Sequence, residues 1–126
     1  MELNRESCVP CTKGGPPMPR DEAQALLGSV PEWSLSENPN DDQHVDTLQR
    51  RFSFADFKAA MAFVNRMADV AETEGHHPDF SVHYRLVDVE LSTHDVGGLS
   101  RNDFILAAKI NKVFDNIDEA SFRRDS

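Results

Sequence analysis

Residues 87–93, Val-Asp-Val-Glu-Leu-Ser-Thr, alternate apolar and polar at nearly every step. A period of two describes a strand with a dry face and a wet face. It constrains the rest of the chain, because something apolar has to cover one side of a sheet while the other side stays polar. Segments with helical spacing are available to do so. Ala23, Leu26, Leu27 and Val30 recur at i, i+3, i+4 and i+7 in a first helix from about Arg20 to Ser29, with Asp21 and Glu22 at its positive N-terminal end and Pro31 stopping it. Ser53 reads as the N-cap of a long helix, Phe54 to Glu74, whose apolar stripe is Phe57, Ala60, Met61, Val64, Met67, Ala68 and Ala71. Gly75 follows its last turn, where a left-handed residue is favoured. Ser100-Arg101-Asn102-Asp103 is a capping-box-like start to a last helix ending near Asn116, and Asp103 reads as that helix's N-terminal acid.

Further strands fall between these helices. Trp33 to Ser36 is short, and the turn Asn38-Pro39-Asn40-Asp41 leads to an alternating stretch, His44 to Phe52, with Leu48, Arg50 and Phe52 on one face. Phe80 to Tyr84 precedes the strand that opened this section. The order α-β-β-α-β-β-α, with short turns between paired strands, predicts an α+β fold: a four-stranded antiparallel sheet with three helices on one face. Residues 20–117 form the predicted domain. Residues 1–19, with Cys8-Val9-Pro10-Cys11, Gly14-Gly15-Pro16-Pro17 and Pro19, read as a flexible leader, and 118–126 as a polar tail. So small a sheet has edge strands that need a cover or a partner, so a homodimer, or a dimer of such dimers, is expected.

Composition narrows the function classes. Across 126 residues there are 13 Lys and Arg against 22 Asp and Glu, a formal charge of −9. That balance argues against direct nucleic-acid binding and against docking on anionic lipid, both of which call for clustered basic residues. No apolar run is long enough to span a membrane, and MELNRESCVPC lacks the apolar core of a secretory signal. With Cys8 and Cys11 the only cysteines, a disulfide framework cannot hold the domain, and a cytoplasmic setting is expected. The CxxC has neither a second ligand pair for zinc nor a βαβ setting for redox work, so it reads as inert.

The chemistry concentrates in Glu72-Thr73-Glu74-Gly75-His76-His77-Pro78 and Ser92-Thr93-His94. Both segments lie where the chain leaves regular structure, and such positions carry functional groups. Adjacent histidines point their rings apart, so no metal site is expected. Imidazole, with an ordinary pKa of about 6.5, suits proton transfer near neutrality instead. Glu72, four residues before His76, is placed to set its tautomer and orientation. His44 and His83 lack this context and read as surface residues on strands.

Taken together, Glu72, His76-His77-Pro78, Tyr84, His94 and Asp103 resemble the signature of the pterin-4a-carbinolamine dehydratases, also known in animals as a dimerisation cofactor of a homeodomain transcription factor. The likeness extends to Phe52-Ser53-Phe54, Phe63-Val64, Leu91-Ser92-Thr93-His94, Gly98-Leu99-Ser100 and Asp103-Phe104-Ile105-Leu106-Ala107, covering roughly residues 20–115. It implies dehydration of a 4a-hydroxytetrahydropterin to quinonoid dihydropterin with neither metal nor organic cofactor. It also implies His76 and His94 as acid and base, with His77 positioning the substrate. Glu72, Pro78, Phe80, Thr93, Asp95 and Val96 would contribute to the pterin site, and an aromatic amino acid hydroxylase would be served. Gly75 stands where some members carry an acid, and Phe80 where animal members carry Trp. The alternative is a binding module on the same fold, acting through another protein.

Overall fold

In the computed structural model, which describes residues 3–6, 8, 18–37, 45–93 and 98–117, the chain runs through α1 (Arg20–Leu27), β1 (Ser34–Glu37), β2 (Val45–Ser53), α2 (Phe57–Glu74), β3 (Asp79–His83), β4 (Leu86–Leu91) and α3 (Arg101–Asn116). The strands pair antiparallel in the spatial order β1-β2-β4-β3, which puts the long β2 and the strictly alternating β4 at the centre. This is the α+β fold that the alternation predicts, with its elements in the expected order. Residues 9–17 of the leader, including Cys11, the turn at 38–41, His44, His94, Asp95, Val96 and the C-terminal tail lie outside the described residues.

Register explains the two faces. Leu48 stands opposite Leu91, Arg50 opposite Val89 and Phe52 opposite Val87. These positions face the helices, and Leu48, Phe52, Val87, Val89 and Leu91 are buried in one core with Ala23 and Leu26 of α1, Phe63 and Met67 of α2, and Phe104 and Ile110 of α3. Phe52, Phe54, Phe63 and Phe114 form its aromatic centre, with Phe52 and Phe63 ring centroids 4.7 Å apart. The Arg50 side chain reaches into this face, and its guanidinium lies 4.3 Å from the centre of the Phe52 ring while donating to Asn111 Oδ1 at 2.6 Å. A cation on an aromatic face with a hydrogen-bond acceptor is a tolerable way to place charge beside a core. The opposite face carries Gln49, Arg51, Asp88 and Glu90.

Two local expectations are corrected. Ser53 does not cap α2: β2 continues through it, Phe54 is buried and donates its N–H to Arg85, and the helix starts at Phe57 with Asp56 as N-cap, accepting from the Ala59 N–H at 2.8 Å. The buried face of α2 is Ala59, Ala60, Phe63, Val64, Met67 and Ala71, whereas Phe57 is 50% exposed and Ala68 is on the surface. The helix is turned so that the bulky Phe63, rather than Phe57, meets Phe52 and Phe54. Among the described residues before α1, Leu3 is 1% exposed in the core, and Glu6 pairs with Arg101. Contacts so far apart in sequence leave no trace in local composition.

Candidate active site

Three segments that end or begin regular structure converge. The first is the C-terminus of α2. Gly75 takes the left-handed conformation with φ 67°, and both its N–H and that of His76 bond back to the Ala71 carbonyl. A residue with a Cβ is disfavoured at such an angle, which accounts for glycine there. The reversal carries His76 off the helix surface. The second segment follows β4, where Thr93 and Gly98, on either side of His94 in sequence, exchange backbone hydrogen bonds of 2.7 and 3.4 Å. The third is the start of α3.

Asp103 is where they meet. It is fully buried, and its Oδ1 lies 2.6 Å from His76 Nε2. Its Oδ2 accepts from the Thr93 hydroxyl at 2.7 Å and from the Ser100 N–H at 2.9 Å. Ser100 and Thr93 hydroxyls are themselves 2.8 Å apart. Against an ionised carboxylate, which only accepts, a neutral imidazole donates from Nε2 and keeps its lone pair on Nδ1. The burial of the carboxylate is met by three donors, which is the condition under which a charge is tolerated in a core. The His76 side chain is 14% exposed and stays reachable from outside.

Glu72 does not orient His76, contrary to the i, i+4 expectation. Its Oε2 instead lies 2.6 Å from Nε2 of His77, with both side chains exposed. The spacing rule holds only while the chain is helical, and the helix ends at Glu74. The site therefore has two adjacent imidazole–carboxylate pairs, one buried and one open to solvent. Asp103 is the residue that sequence reasoning undervalued. The available signal was its place in the family pattern: a capping box uses one carboxylate oxygen and leaves the other for a second partner.

Of the other candidates, Pro78 is half-buried beside the histidines in sequence, and Phe80 is 46% exposed on β3, on the edge of the sheet. Thr93 is buried, its hydroxyl engaged by Asp103 and Ser100. His94, Asp95 and Val96 lie outside the described residues. Tyr84 sits at positive φ in the two-residue turn between β3 and β4, and is exposed. His83 is exposed, within reach of Ser81 and Asp88, as a surface strand residue should be. Among the described residues no group of three or more His, Cys, Asp or Glu side chains is arranged to hold a metal ion.

With the geometry in hand, a comparison with known families is decisive: the family model described as Pterin 4 alpha carbinolamine dehydratase matches residues 16–113. The chain belongs to the pterin carbinolamine dehydratase family. Among curated relatives, a Halorhodospira halophila protein is 46% identical over 113 residues, spanning 90% of this chain and 98% of the relative. A Chlorobium limicola protein is 43% identical over 108 residues, 86% of this chain and 92% of the relative. Both carry the name "Putative pterin-4-alpha-carbinolamine dehydratase". A crystal structure from Brucella melitensis, named a transcriptional coactivator/pterin dehydratase, superposes with a TM-score of 0.67 at 29% identity, over 77% of this chain and 97% of that one. The pterin carbinolamine dehydratase match thus includes every residue of the two imidazole–carboxylate pairs. Among the described residues no helix is long and apolar enough to cross a membrane.

Proposed function

We propose that the protein dehydrates a 4a-hydroxytetrahydropterin to the quinonoid dihydropterin, releasing water, by histidine acid–base catalysis. The observation that carries this reading is the 2.6 Å contact between His76 and the buried Asp103, next to the exposed His77–Glu72 pair. The reaction breaks the C4a–O bond and removes the proton on N5. The hydroxyl leaves as water once an acid has given it a proton, and a base takes the N5 proton. With Nε2 committed to Asp103, His76 Nδ1 is the atom suited to accept that proton. His94 is the acid, from the stretch between Thr93 and Gly98, and His77 positions the pterin. Pro78, Phe80 and the backbone from Thr93 through Asp95 to Val96 complete the pterin site. No metal or organic cofactor enters this chemistry. The setting is the cytoplasm, where the product feeds tetrahydropterin recycling for an aromatic amino acid hydroxylase, and the working unit is a homodimer.

Dehydratase turnover of a chemically generated carbinolamine tests this on the wild type and on His76→Ala, His77→Ala and His94→Ala, with folding checked by circular dichroism. A positioned proton donor or acceptor typically contributes 10²–10⁴-fold, so His76→Ala and His94→Ala should each lose at least about tenfold in kcat. His77→Ala should act mainly on KM. Undiminished turnover in both of the first two variants would overturn the reading. A second reading, a partner-binding module, draws on the coactivator name of the Brucella melitensis relative. Capture of one stoichiometric protein partner together with absent pterin turnover would put it first.

A further inference from the structure

We propose that residues 3–6 and 8 form a clamp that positions His76 against Asp103, with Cys8 bridging the two helix ends from which those residues project. The proposal rests on the catalytic reading of His76 for its effect on turnover, but not for the clamp itself. The Cys8 N–H donates to Glu74 Oε1 at 2.8 Å. Glu74 is the last residue of α2, two before His76. The Cys8 thiol meets the Asn102 carbonyl oxygen at 3.6 Å, and Asn102 is the neighbour of Asp103 in the first turn of α3. One residue thus ties both flanks of the His76–Asp103 contact.

The clamp is anchored independently of that residue. Leu3 is buried in the core, and the Glu6 N–H bonds back to its carbonyl. Glu6 takes both oxygens to Arg101, at 2.9 and 2.6 Å, in the two-pronged geometry that gives an ion pair directional hold. Arg101 is the residue that opens α3, so the pair fixes the segment to the same helix end that carries Asp103. Glu74 is held from its other oxygen by Lys109 Nζ at 3.5 Å. Beyond the Cys-containing stretch, the Met18 N–H donates to the Leu99 carbonyl at 2.7 Å, steadying the approach to α3. The thiol donates only when protonated. Burial, then the charge of Glu74, pushes it up to about 12, so the donor persists across the neutral range.

The clamp acts on the backbone that presents His76 and Asp103, through Glu74 on one side and Asn102 on the other. Displacements of about 1 Å at a reacting group can lower rates by up to about 10²-fold. The test compares three full-length-derived proteins: a chain without residues 1–8, the double variant Glu6→Gln/Glu74→Ala, which breaks the Arg101 pair and removes the acceptor of the Cys8 N–H, and Cys8→Ser. The double variant keeps Leu3 in the core and decides the matter if the truncated chain does not fold. The first readout is the imidazole N–H proton resonance of His76 in its hydrogen bond to Asp103, assigned by its absence in His76→Ala. The second is the division between kcat and KM on the carbinolamine.

The expected result is loss or broadening of that resonance, with kcat about tenfold lower and KM within about twofold, in the first two proteins. Cys8→Ser, which retains a donor, should stay near wild type. A wild-type resonance and wild-type kcat in the folded double variant would overturn the clamp. If the resonance is lost while His76→Ala itself turns over normally, the clamp stands and the catalytic reading of His76 fails.

Discussion

Asp103 serves the cap of α3 with one oxygen and His76 with the other, and its burial makes both contacts expensive to lose. Asp103→Asn removes the charge at nearly constant volume. The amide can still accept once, from Ser100 or from His76, but its NH2 group must then face a donor. We expect kcat lower by about tenfold or more, because the imidazole loses the acceptor that selects its tautomer. Stability should fall by about 1–3 kcal/mol, the usual cost of leaving a buried polar group without a partner. Carbinolamine turnover and urea unfolding measure the two effects, and unchanged kcat would show that Asp103 only caps the helix. The histidines themselves could be read from the chain, because Gly75 and Pro78 bracket them in a pattern with a local cause. Their partners could not. Which carboxylate meets which imidazole depends on the direction the chain takes after Gly75, and that direction assigned Glu72 to His77 and Asp103 to His76.

Helix α2 shows how far periodicity reaches. Its length and its glycine end follow from local propensity, but a stripe of alanines and methionines leaves the rotation of the helix loosely specified. Packing settled it, because Phe63 fills the space between Phe52 and Phe54. Phe63→Ala should therefore cost about 3–5 kcal/mol, as large-to-small changes at buried aromatics do, while Phe57→Ala on the same helix should cost less than about 1 kcal/mol. Thermal unfolding followed by circular dichroism separates the two, and equal losses would contradict the observed rotation. Between β2 and β4, Arg51 donates to both oxygens of Asp88 on the polar face. The hydrogen bonds, together with the guanidinium charge, hold the Asp88 carboxyl below its ordinary 3.8. The contribution is therefore present above about pH 4 and is lost as pH falls through the lower folded value. Both side chains are well exposed, so solvent screening keeps it small. Arg51→Met should lower stability slightly at pH 7, converge with the wild type at low pH where Asp88 is protonated, and so flatten the acid limb; an identical acid limb in the variant would sink this assignment.

At the scale of the molecule, helices cover one face of the sheet, and among the described residues no further strand pairs with β1 or β3 at its edges. Strand β3 lies at one edge with Asp79, Phe80, Ser81 and His83 exposed, an arrangement that isolated proteins ordinarily cover or pair. Sedimentation at micromolar concentration should return at least twice the chain mass, and a monomer would count against a homodimer. A net charge of −9 works against association with polyanions without naming a ligand. The α+β architecture, the number and order of its elements and the position of the histidines were legible along the chain. Each rests on interactions spanning a few residues: alternation, helical spacing, caps and turns. The pairing of Asp103 with His76, the bridge made by Cys8 and the pairing of Glu6 with Arg101 join residues 27 to 95 positions apart, and the seat of Leu3 in the core is equally non-local. Such contacts form only when the sheet and helices have packed, because their geometry belongs to how elements approach one another and no local pattern encodes it.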